Sequence, residues 1–233
     1  MAVGHTAFDY IMTVDEFPPA NQAAPILTMK NLNGGAVANV AMIGATLGAK
    51  TSLVSAVGED FIDSRYQKAM IEAGVNIDSM IYDMESNTPT AFVMTNKHGD
   101  QISYFHWGAG KAFHDSEVPR DTIKDAKAVH LATGDPHYNC KAAIVAKEEE
   151  RLVSFDPGQD LGMYSPKKLV EVIKNCNILF GNHHEIKRIL DSLKVDIEGL
   201  MALGPEIVLK TCGKEGSYIY SLDEETIFVD AVY

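Results

Sequence analysis

The sequence predicts an α/β fold: a doubly wound, mostly parallel sheet flanked by helices, with a small separate β-sheet beside it. Three observations lead there. From residue 128 onward, short apolar runs without alternation (128–132, 152–155, 178–180 and 207–210) are separated by helical stretches at about 137–150, 166–175 and 183–203. Unalternated apolar runs are what strands buried on both faces require. Polar groups fall just past the carboxyl end of those runs, at Thr133-Gly134-Asp135, Asp156-Pro157-Gly158, Asn182 and Thr211. In an open parallel sheet these ends share the edge at which ligands bind. The segments at roughly 10–32 and 88–106 do not follow the strand–helix rhythm, and these form the small sheet.

Taken in order, residues 3–11 read as a first strand ending near Asp9, and Phe17-Pro18-Pro19-Ala20-Asn21 as a turn. Residues 26–32 form a further strand. Gly34-Gly35 then opens a helix whose apolar residues Val37, Val40, Ala41, Ile43 and Leu47 recur at helical spacing until Gly48. A strand at 51–57 ends in Gly58-Glu59-Asp60, and an amphipathic helix at about 61–73 is closed by Gly74. Strands are expected at 77–82, 90–96 and 102–106. The last two pair across Lys97-His98-Gly99-Asp100, a hairpin turn between alternating runs. The 233 residues fit a single α/β domain spanning 1–233.

Composition narrows the function. A formal charge of −12 argues against a nucleic-acid partner, since phosphate backbones need a basic face. The same field opposes anionic ligands, so a polyphosphate site requires local help from Mg²⁺, lysines or helix N-termini. No apolar run approaches the roughly 20 residues of a membrane span, and Met1-Ala2-Val3-Gly4-His5 carries neither a basic region nor an apolar signal core. Cys140, Cys176 and Cys212 are far apart and form no Cys-x-x-Cys pair. They read as reduced structural thiols of a cytoplasmic protein.

Three segments carry candidate chemistry. Gly34-Gly35 at a helix start lets a ligand approach bare backbone, and Asn39 faces the same end one turn on. Amide and backbone groups that donate and accept suit a polyhydroxyl ligand, while a tight strand-to-helix turn explains the glycines equally well. Asn182-His183-His184-Glu185 places Asn182 and Glu185 on one helix face, a pattern that also matches a capping box. Adjacent His183 and His184 project about 100° apart and make a poor joint metal site. Lys210-Thr211-Cys212-Gly213-Lys214-Glu215-Gly216 leaves a strand into a glycine-flanked turn. Neither Gly44-Ala45-Thr46-Leu47-Gly48-Ala49-Lys50-Thr51 nor Gly108-Ala109-Gly110-Lys111 has the spacing or the strand-to-helix setting of a Walker phosphate loop.

The block Asn33-Gly34-Gly35 through Asn39, Leu47-Gly48 and Val57-Gly58-Glu59-Asp60 resembles the first signature of the ribokinase-like (PfkB) carbohydrate kinases. Trp107-Gly108-Ala109 to Lys111, His130 to Pro136 and Val153 to Leu161 are most similar to the archaeal nucleoside kinases within that family. The resemblance covers about residues 4–230. It implies ATP- and Mg²⁺-dependent phosphorylation of the 5′-hydroxyl of a nucleoside, with the small sheet as a lid. Asp9, Gly34, Gly35 and Asn39 are then expected to hold the sugar. Lys111, Asn182, Thr211, Gly213 and Gly216 would bind ATP, and Asn182 and Glu185 would organise Mg²⁺ through water. Paired lids imply a homodimer.

The family's catalytic base is the Asp of a Gly-Ala-Gly-Asp segment, expected beyond Tyr233, so the sequence is read as truncated before it and no base is named. A sugar or sugar-phosphate kinase of the ribokinase, fructokinase or phosphofructokinase type is the alternative within the class. A non-catalytic nucleoside or nucleotide binder is the alternative outside it. A nicotinamide-dependent dehydrogenase would need Gly-x-Gly-x-x-Gly after the first strand, which is missing.

Overall fold

The structure is a computed structural model that describes residues 1–222 and 224–232. The chain divides into two compact units, one made of Met1–Gly4 with His114–Tyr233 and the other of His5–Phe113.

In the first unit, parallel pairing runs from Ala2–Val3 to Ala128–Leu131, then Leu152–Phe155, Ile178–Asn182 and Ile207–Thr211. Two antiparallel strands, Ser217–Ser221 and Ile227–Val229, complete the series. Helices Pro136–Glu148, Pro166–Lys174 and His183–Leu193 alternate with the parallel strands, as the rhythm of apolar runs predicts. Their starts are written in the sequence. Asp135 accepts a hydrogen bond from the Tyr138 amide and Ser165 one from the Lys168 amide, each with proline at the first helical position. Val129, Leu131, Val153, Phe155, Leu179 and Val208 are fully buried, and each such side chain contributes about 1.5–3 kcal/mol.

The second unit holds the small sheet. Ile26–Gly34 and Ala7–Val14 pair antiparallel, Ala7–Val14 and Thr90–Thr95 parallel, and Thr90–Thr95 and Gln101–His106 antiparallel. The predicted hairpin is therefore present. Beside it lie the helices Ala36–Thr46 and Arg65–Glu72 and two short parallel pairs, Thr51–Val54 with Val75–Asn76 and Ala56–Gly58 with Ile81–Asp83.

Several boundaries differ from expectation. The strand predicted at 3–11 is two strands, Ala2–Val3 and Ala7–Val14, broken at Gly4 (φ 149°). Asp9 consequently lies inside a strand of the small sheet and not at a strand end. The strand at 51–57 divides at Ser55, whose hydroxyl accepts the Thr6 amide (2.7 Å). The helix expected at 61–73 begins at Arg65, where Ser64 caps it. Of the strand expected at 77–82, residues 77–80 form a turn after Val75–Asn76, and only Ile81 and Tyr82 are extended, opening the strand Ile81–Asp83. The helix at 183–203 is two, because Lys194 adopts a left-handed conformation (φ 56°) that ends the first, and Asp196 caps Ile197–Met201.

Candidate active site

The acceptor candidates gather in the unit of residues 5–113. Strand pairing sets Ala7 opposite Gly34 and Asp9 opposite Leu32, so the chain brings Asp9 back beside the glycines. A Cβ at Gly34 would stand 2.0 Å from Asp9 Oδ2 and 2.3 Å from its Cγ. The Asp9 carboxylate thus lies directly over the bare Cα of Gly34. At Gly35 a Cβ would meet the His5 carbonyl at 2.3 Å, and φ is 97°; only glycine fits there. Gly35 also starts the helix Ala36–Thr46, its carbonyl accepting the Asn39 amide at 3.0 Å. Asn39 is exposed one turn into that helix, and the helix N-terminus favours a polar oxygen-rich ligand. Burial pushes the Asp9 carboxyl above the usual carboxylate range. The open sides of both glycines are filled by the protein, by the Asp9 carboxylate at Gly34 and by the backbone of His5 and Thr6 at Gly35, so close packing accounts for the pair.

Gly58-Glu59-Asp60, which sequence reasoning placed among the strand-end polar groups, has an internal task. Asp60 Oδ1 accepts from the Thr88 amide (2.8 Å) and from the Thr88 hydroxyl (2.6 Å). That hydroxyl in turn accepts the Gly58 amide (3.1 Å). A Cβ at Gly58 would strike the Ser86 carbonyl at 2.0 Å, and one at Gly108 the Asn87 carbonyl at 2.1 Å. The segment 86–89 is thus gripped from two sides, and Lys111, exposed on the 3₁₀ turn Gly108–Phe113, is carried on that grip.

The other residues expected to bind ATP, Asn182, Thr211, Gly213 and Gly216, lie in the unit of Met1–Gly4 and His114–Tyr233. Asn182 and Thr211 are register partners on neighbouring parallel strands, so their side chains end at the same sheet edge. Asn182 caps His183–Leu193, accepting the His184 and Glu185 amides at 2.9 and 3.0 Å. Glu185 Oε2 accepts the Asn182 amide at 2.7 Å. The capping box is therefore real, and it uses one carboxylate oxygen of Glu185. Thr211 is exposed and leads into the turn Gly213–Glu215. Gly213 has φ 57° with open space where a side chain would be, whereas a Cβ at Gly216 would meet the Val229 carbonyl at 2.2 Å. Gly213 leaves room for a ligand; Gly216 is required by packing.

Asp156 and Gly158 lie on the same edge. Asp156 Oδ1 accepts the Gly158 amide at 3.1 Å, and burial raises its pKa. Among the described residues no three His, Cys, Asp or Glu side chains gather as metal ligands. Sequence reasoning missed Tyr66, whose hydroxyl donates to the Gly34 carbonyl at 2.8 Å; a tyrosine on the buried face of an amphipathic helix carries no distinguishing signal.

Comparison with known proteins adds four findings. The family model described as pfkB family carbohydrate kinase matches residues 1–233. The nucleoside kinase of Methanothermobacter thermautotrophicus is 55% identical over 232 residues, covering 100% of this chain and 74% of that protein. The crystal structure of the Methanocaldococcus jannaschii nucleoside kinase, described as an archaeal member of the ribokinase family, superposes with a TM-score of 0.92 at 39% identity, over 98% of this chain and 74% of that one. A Burkholderia thailandensis nucleoside kinase in complex with inosine shares the fold at a TM-score of 0.89 and 22% identity, over 99% of this chain and 75% of that one.

Proposed function

Because the chain belongs to the pfkB family of carbohydrate kinases, we propose that it is a nucleoside kinase, transferring the γ-phosphoryl group of ATP to the 5′-hydroxyl of a nucleoside. It is a phosphotransferase acting on a hydroxyl group, and its fold is ribokinase-like. The observation that carries the substrate reading is the Asp9 carboxylate lying on Gly34 at the mouth of the Gly35–Asn39 helix turn. A carboxylate accepts from two vicinal hydroxyls at once, and Asn39 and the Gly34–Gly35 backbone offer complementary partners.

Lys111, Asn182, Thr211, Gly213 and Gly216 serve ATP in this proposal. Asn182 and Glu185 hold Mg²⁺ through water, with Glu185 supplying charge that the capping box does not consume. When bound, Mg²⁺ neutralises phosphate charge, which otherwise meets a protein of net −12. The chain from 1 to 233 acts as one ribokinase-like domain whose small sheet is a lid. Leu27 and Met29 on the edge strand Ile26–Gly34 are 60% and 61% exposed, which supports a homodimer formed through that sheet. Leu27→Lys with Met29→Lys then yields a monomer in analytical ultracentrifugation.

No described helix is long and apolar enough to cross a membrane. The cytoplasmic location belongs to the proposal and draws support from Cys140, Cys176 and Cys212, all free thiols. Burial pushes the first two up to about 12 and keeps them inert.

The deciding experiment is an ADP-release assay on the full-length protein with adenosine, inosine, guanosine, cytidine, uridine, ribose, fructose and fructose 6-phosphate, with and without Mg²⁺. Mg²⁺-dependent turnover of a nucleoside is expected. Turnover of sugars alone, or nucleoside binding without turnover, overturns the assignment.

A further inference from the structure

We infer that Tyr66 is a positioning residue for the nucleoside site, its hydroxyl fixing the plane of the Gly34–Gly35 peptide against which the sugar rests. The inference depends on the nucleoside reading above. Tyr66 is the second residue of the helix Arg65–Glu72 and is 2% exposed. Ser64 caps that helix by accepting the Gln67 amide (3.1 Å), and the Gln67 side chain accepts the Asp63 amide (2.8 Å). The ring is braced edge-on by Phe61 at 5.9 Å and tilted against Phe8 at 6.2 Å. With helix start and ring both held, the hydroxyl has one place to be, 2.8 Å from the Gly34 carbonyl oxygen.

Two consecutive glycines form the least constrained peptide a chain can contain. The Gly34–Gly35 bond is trans, so its carbonyl and amide point to opposite sides. Tying the carbonyl to Tyr66 therefore also fixes the direction of the Gly35 amide. On the far side, Gly35 is committed to the helix through the Asn39 amide. Asp9, lying on the Gly34 Cα, keeps its carboxylate in place only while that Cα stays put. Burial, with the charge of Asp9 adding to it, holds the Tyr66 phenol far above its ordinary pKa. The hydroxyl is then a permanent donor, and the bond has a single polarity at all working pH values.

The test is Tyr66→Phe in the full-length protein, which keeps the ring and removes only the donor. Binding of the tightest of adenosine, inosine, guanosine, cytidine and uridine is followed by calorimetry, and thermal unfolding is recorded in parallel. Leu169→Ala opens a cavity under the helix Pro166–Lys174, away from Tyr66 and its braces, and serves as the destabilised comparison. The expected result is a Kd raised on the order of tenfold in Tyr66→Phe, the value of one buried hydrogen bond, while Leu169→Ala lowers Tm and leaves Kd unchanged. An unchanged Kd in Tyr66→Phe overturns the inference. So does a Leu169→Ala variant that loses equal affinity, since Tyr66 would then act only through stability. If the unsubstituted protein binds none of the five nucleosides, the nucleoside reading itself falls and this inference falls with it.

Discussion

Gly34→Ala is the sharpest perturbation of the acceptor site. The new methyl would lie 2.0 Å from Asp9 Oδ2, 2.3 Å from Cγ and 2.6 Å from Oδ1, whereas ordinary contact begins near 3.4 Å. The carboxylate must therefore retreat by about 1.4 Å (3.4 − 2.0). A displacement of that size takes Asp9 out of hydrogen-bonding range of a fixed hydroxyl. Hydrogen bonds to a charged acceptor contribute about 1.5–3 kcal/mol, which converts to roughly 10- to 150-fold in nucleoside affinity. Stability moves less, because overpacking costs about 1–3 kcal/mol and alanine recovers about 0.5–1 kcal/mol of the glycine entropy. Calorimetry with the preferred nucleoside reads the first effect, and thermal unfolding the second. The double variant Asp9→Ala with Gly34→Ala binds no more weakly than Asp9→Ala alone, since the methyl then displaces nothing. A Gly34→Ala protein with wild-type affinity, or strictly additive losses in the double variant, would refute the reasoning.

Three further outcomes are expected. Glu185→Gln keeps an acceptor for the Asn182 amide and so leaves Tm within about 1 °C, yet it removes the Mg²⁺-dependence of ATP binding measured by titration; unaltered Mg²⁺-dependence would sink the metal assignment. Asp60→Ala strands the buried Thr88 amide and hydroxyl, costing about 2–4 kcal/mol and lowering Tm by about 5–15 °C, whereas Asp60→Asn retains a carbonyl acceptor and loses much less. Asp9 is raised in pKa by burial, so its stabilising share is complete below the unfolded carboxylate value and is lost as pH rises through the raised folded one. Asp9→Asn, which cannot ionise, therefore melts above the unsubstituted protein at pH 7. That gap closes as pH falls towards about 4, while nucleoside affinity of the variant is weaker at pH 7, where Asp9 carries its charge in the unsubstituted protein. An equal gap at both pH values would contradict the burial argument.

Much was legible in the residue order. Unalternated apolar runs at 128–132, 152–155, 178–180 and 207–210 mark parallel strands because burial on both faces leaves no polar positions. Strand parallelism alone then sends Asn182 and Thr211 to one edge, since residues after parallel strands have nowhere else to go. The Asn182–Glu185 cap was also legible, being a local pattern spanning four residues. Distances between segments remote in sequence were not. Nothing local to residues 3–11 announces that Gly4 divides the strand and carries Asp9 into the small sheet, because that break depends on what each half finds to pair with. The sequence shows Gly34-Gly35 as a turn open to a ligand; the fold shows that the missing Cβ atoms are replaced by Asp9 and by the backbone of His5. Asp60 and Tyr66 complete the contrast. One is spent on Thr88 and the other on the Gly34 carbonyl. Helical and strand periodicity, which acts between near neighbours, determines which residues are buried; only the packing of distant segments decides which atom each buried polar group holds.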